Sequence, residues 1–79
     1  MTVNDVTQLT NIKQYLSELT PAQQQCAALF ACGWRPAEIA AIRKTTLKTV
    51  KAQLDDIRKV YGLDSIHHIR NVILLRLFL

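Results

Sequence analysis

From position 46 onward the apolar residues keep one rhythm. Leu47, Val50, Leu54, Ile57 and Tyr61 recur at alternating steps of three and four, the spacing of one face of an α-helix. The opposite face carries Lys48, Lys51, Ala52, Asp55 and Lys59. The pattern predicts a helix from Thr46 to Tyr61, anchored by its stripe and open on its lysine-bearing side. An earlier stripe, Val6, Leu9, Ile12 and Leu16 with Tyr15 beside it, predicts a helix over residues 5–17 with Asn4 or Asp5 as its cap. That stripe calls for a surface to cover, on the following helices or on a second subunit.

Between these two segments lie two more helix starts. In Leu19-Thr20-Pro21-Ala22-Gln23, Thr20 stands as the cap and Pro21 at the first helical position. Gln23, three past the cap, closes a capping box. This helix is expected to run to Gly33, which ends it, with Gln23, Gln24 and Gln25 as a solvated face. A shorter helix follows over Trp34 to Ile42, with Pro36 in its first turn. Glu38 lies in its first turn, Ile39 and Ile42 point inward, and Ala40 and Ala41 allow a close helix crossing. Arg43-Lys44-Thr45 is a tight basic connection, and Thr46 caps the next helix. A short helix, a turn of about three residues and a second helix with an exposed basic face have helix-turn-helix spacing. Gly62 ends the long helix, Asp64 or Ser65 caps another, and residues 66–78 are apolar nearly all round. A terminal helix of that kind buries more than one side, which predicts a subunit interface as well as a core contact.

The fold class expected is therefore all-α. It comprises an N-terminal helix in residues 1–18 and a four-helix unit in residues 19–79 whose last helix serves dimerisation. With 79 residues in all, the chain buries only roughly 60% of its unfolded surface, so helix packing or a partner must supply stability. The net charge of +4 is localised: residues 35–59 hold seven basic and three acidic side chains, which points to a polyanion. The first residues are polar rather than a secretory signal, and the apolar tail is short for a membrane span. A cytoplasmic, nucleoid-associated protein is expected. Cys26 and Cys32 are read as small buried groups, unbridged in a reducing compartment. His67 and His68 are read as surface or phosphate-adjacent groups. No glycine-rich phosphate loop, nucleophile set or metal-ligand cluster is present in the sequence, so neither an enzyme nor a cofactor is expected.

Several of these residues in register resemble the LuxR-type helix-turn-helix domain. They are Leu19-Thr20-Pro21, Gly33, Glu38-Ile39-Ala40, Thr49-Val50-Lys51, Ile57 and Gly62-Leu63, and the likeness covers residues 19–75. The resemblance implies a four-helix DNA-binding domain that dimerises through its last helix. Carried over, it places Lys48, Lys51, Ala52 and Asp55 at base edges or the groove wall, and Lys44, Thr46 and Thr49 near phosphates. Ile69, Val72, Ile73, Leu75, Arg76 and Leu79 are the expected dimer contacts. Arg35 stands where the family has a serine cap, which weakens that helix start, and Lys44 stands where it has a glycine. Asp55 repels phosphate unless it meets a cytosine amino group. Two functions follow as expectations. One is a homodimeric transcription regulator on double-stranded DNA, with half-sites ~34 Å apart. The other is an antagonist that pairs with a full-length LuxR-type regulator instead of DNA. A promoter- and polymerase-contacting module of the sigma-factor kind shares the same helix pattern.

Overall fold

A computed structural model describes residues 16–78, with side chains to residue 76. Its regular structure is helical: α1 (Pro21–Ala31), α2 (Pro36–Ile42), α3 (Leu47–Val60) and α4 (Ile69–Phe78), with a 3₁₀ turn over Ile66–His68 leading into α4. No strand occurs among the described residues. The helix expected over residues 5–17 lies outside them, except for Leu16 and Ser17, which belong to a turn.

Each boundary has a local cause. Thr20 Oγ1 accepts from the Gln23 N–H at 3.2 Å, and Gln23 Oε1 accepts from the Thr20 N–H at 2.9 Å, so the capping box is closed in both directions. At the other end Gly33 takes φ +101°. This lets the amides of Gly33 and Trp34 reach the Phe30 and Leu29 carbonyls at 3.1 and 3.2 Å. The start of α2 is stronger than a missing serine suggests. Glu38 Oε1 accepts from the Arg35 N–H at 2.9 Å and from Arg35 Nε at 3.2 Å. Arginine has no acceptor to offer the helix amides, so this is half of a box, reinforced by charge. Thr46 caps α3, Gly62 (φ +64°) lies just beyond its end, and Ser65 Oγ accepts from the His67 N–H at 3.2 Å.

The core is a single cluster. Leu16 and Leu19 enter it ahead of α1; Cys26, Ala27 and Phe30 come from α1, Ile39 and Ala40 from α2, Val50, Leu54 and Ile57 from α3, and Ile69 and Ile73 from α4. α1 packs on α3 and α4, and α2 packs chiefly on α3. Arg70 on α4 lies 5.8 Å from the Phe30 ring centre and donates to the Phe30 carbonyl at 3.4 Å, tying the last helix to the first.

Several expectations change here. Ile42 is 48% exposed: α2 has only about two turns, and Ile39 with Ala40 forms an inner face that Ile42 merely flanks. Ala41 is exposed as well. Leu47 is 40% exposed, because the first turn of α3 overhangs the core. Cys32 is exposed at the end of α1, and only Cys26 is buried. Gln24 is not solvated. Its Nε2 donates to the Leu16 and Leu19 carbonyls at 2.8 and 3.2 Å, so a buried amide pins the incoming chain to α1. The residues expected at a dimer interface separate. Ile69 and Ile73 are spent on the chain's own core and Val72 is half-buried, whereas Leu75 is 56% exposed. Arg76 is already engaged, 5.9 Å from the Tyr61 ring centre and 3.4 Å from Glu18. Leu79 lies outside the described residues.

Candidate nucleic-acid interface

The corner between α2 and α3 is built from a residue that does not suit it. Lys44 adopts φ +55°, a left-handed conformation that costs a side chain about 1 kcal/mol or more. That backbone turn brings the Thr45 amide to the Ala40 carbonyl at 2.9 Å. Lys44 itself is exposed. Next, Thr46 Oγ1 accepts from the Thr49 N–H at 3.1 Å, and the two threonine hydroxyls lie 2.9 Å apart. If Thr49 Oγ1 donates in that pair, the Thr46 hydroxyl proton is left to point outward. Both threonines are exposed.

Charge along α3 is uneven. Its first half carries Lys48 and Lys51 and no acid; its second half balances Asp55 and Asp56 against Arg58 and Lys59. Lys44, Lys48 and Lys51 are exposed, and none has an ion-pair partner among the described residues. Lysines at a helix start stand against the macrodipole, whose positive end lies there. Three cations, a positive helix end and two exposed threonines therefore share one end of α3. Ala52 is exposed on the same face and leaves it low.

Asp55 does not present a free carboxylate. Its Oδ1 is 3.0 Å from Arg58 Nη2, and its Oδ2 is 3.1 Å from Lys59 Nζ. Lys59 and then Arg58 hold its carboxyl below the usual aspartate range. The expected repulsion of phosphate is thus neutralised within the helix, at the cost of Lys59 as a free cation. Arg58 also donates through Nη1 to the Leu63 carbonyl at 2.9 Å, closing the end of α3.

Two roles lay beyond sequence reasoning. Arg43 donates through Nη1 to Gln53 Oε1 on α3. Gln53 flanks the buried stripe, so some polar partner was foreseeable, but the choice of Arg43 depends on how the helices cross. The second is the group of Glu18, Tyr61 and Arg76. The Tyr61 hydroxyl faces the Glu18 carboxylate yet meets no partner in full hydrogen-bond geometry. Burial, and then Glu18, push the phenol far above its usual range; the approach of that hydroxyl, with Arg76, holds Glu18 low. His67 and His68 are exposed. No group of three metal-ligating side chains occurs among the described residues, and no helix there is long and apolar enough to cross a membrane.

The chain matches no family model, no curated protein and no solved structure.

Proposed function

We propose that this chain is a small sequence-specific regulator of transcription that binds double-stranded DNA as a homodimer, with α2 and α3 acting as a helix-turn-helix of the LuxR type. The observation that carries the reading is the unpaired basic start of α3. Lys44 and Lys48 stand at the positive end of a helix dipole and Lys51 follows one turn on; none has an ion-pair partner among the described residues, and the acid one turn beyond Lys51, Asp55, is held by Arg58 and Lys59. An isolated protein gains nothing from that arrangement, whereas a phosphate backbone relieves it. The N-terminal half of α3 enters the major groove, where Lys48 and Lys51 reach base edges or the groove wall. Ala52 permits close approach, and Thr46, Thr49 and Lys44 meet phosphates. The second half of α3, with its balanced charges, stays out of the groove. A place at the nucleoid follows from this reading.

The test is binding to a mixed-sequence duplex across a salt series. Replacing Lys48 and Lys51 together by alanine is expected to weaken binding and to flatten the slope of log affinity against log salt by up to about 2. Equal affinity and equal slope for the double variant would sink the proposal. The exposed Leu74 and Leu75 on α4 favour a second reading, pairing with a full-length LuxR-type regulator instead of DNA. Retention of such a regulator by a chain that ignores duplexes, and that stays monomeric alone, would decide for it.

A further inference from the structure

The α2–α3 corner is fastened by a contact that the DNA reading leaves unused. Lys44, Lys48 and Lys51 are exposed, but Arg43 is half-buried. Its guanidinium runs inward and donates to Gln53 Oε1, ten residues on and in the second turn of α3. Among the described residues this is the only side-chain hydrogen bond joining α2 or its caps to α3. The same guanidinium lies beside the Cys26 thiol of α1. Burial pushes that thiol up, and the arginine acts in the opposite sense.

The rest of the α2–α3 contact is apolar, Ile39 and Ala40 against the Val50 and Leu54 stripe. Apolar packing is not directional, and Ala40 is small, so it leaves α3 some freedom to roll about its axis. A charged hydrogen bond with a planar donor removes that freedom. We propose that Arg43 is a positioning residue: its bond to Gln53 fixes the angle at which α3 presents Lys48 and Lys51, and it does not itself meet the duplex backbone. This rests on the DNA-binding reading, and it separates one arginine from the three lysines around it by role.

Two measurements on the full chain keep the two ideas apart. The first needs no DNA: a double-mutant cycle of Arg43→Met and Gln53→Ala in urea unfolding. A coupling of about tenfold in the unfolding equilibrium is expected for a bonded pair. Additive effects would overturn the brace, whatever the protein binds. The second is the duplex salt series with Arg43→Lys, which keeps the charge but loses the planar fork. Affinity is expected to fall about tenfold with the slope unchanged, and Gln53→Ala is expected to do the same, whereas Lys48→Ala lowers the slope by about 0.9. If Arg43→Lys binds like wild type, and Arg43→Met lowers the slope as Lys48→Ala does, then Arg43 is a phosphate contact and the proposal fails. If the wild-type chain binds no duplex, the DNA reading fails, the positioning role fails with it, and the unfolding cycle alone decides whether the brace exists.

Discussion

Lys44 and Gln24 show what single positions cost and return. Lys44 sits at φ +55° in a turn where a glycine would rest without strain. Lys44→Gly relieves about 1 kcal/mol of backbone strain and gives back part of it through a freer unfolded chain. The expected net gain is about 0.5 kcal/mol, visible as a higher thermal midpoint. Binding to a duplex is expected to weaken at the same time, since a cation is lost. A variant that neither gains stability nor loses affinity would contradict both the strain and the role given to that lysine. Gln24 is the opposite case, a buried amide that serves two carbonyls. Gln24→Ala leaves the Leu19 carbonyl without that donor, while the Leu16 carbonyl keeps the Leu19 N–H at 3.0 Å; the change is expected to cost ~1–3 kcal/mol, measured by urea unfolding. A solvated glutamine would cost almost nothing.

The helices follow from capping chemistry more closely than their faces do. Thr20→Ala is expected to lower stability by ~1 kcal/mol, because it removes the hydroxyl that accepts from the Gln23 N–H, while the backbone bond from residue 20 to Gln23 Oε1 stays. The starts at Thr20 and Thr46, and the stops at Gly33 and Gly62, were legible because each depends on neighbours within four residues; the last start was narrowed to Asp64 or Ser65, of which Ser65 caps. The α3 stripe was legible in its centre, at Val50, Leu54 and Ile57, and wrong at Leu47, where the helix outruns the core. Ile42, Cys32, Gln24 and the inward-facing Ile69 and Ile73 were misjudged for one reason. Which flank of a helix is covered depends on where its neighbours cross it, and periodicity alone does not carry that information. The exposure of Lys48, Lys51 and Ala52 was legible for the same reason in reverse: they lie off the buried stripe, on faces that no neighbouring helix among the described residues covers. Arg43 and Asp55 were not, since their partners are set by interhelical angle and by competition among close charges.

At the scale of the whole molecule α4 closes on α1, and four ion pairs lie at the surface of the described residues. Glu38, Asp55 and Glu18 all have carboxyls held below their ordinary range by neighbouring cations, amides or a hydroxyl. A carboxyl lowered in the folded state adds stability above its unfolded pKa and loses it as pH falls through the folded one. The urea midpoint is therefore expected to stay level between about pH 7 and 5 and to drop below about pH 4. Because these pairs are largely exposed, added salt flattens the acid limb. A midpoint that rises on acidification would show that the pairs contribute nothing. The last helix carries a consequence of another kind. Its inner side supplies Ile69 and Ile73 to the core, while Leu74 and Leu75 face out. Whatever grips those two leucines grips only the folded chain, so by mass action its occupancy is written into the melting temperature. Heating the protein alone at increasing dilution thus asks whether a second copy is what covers them.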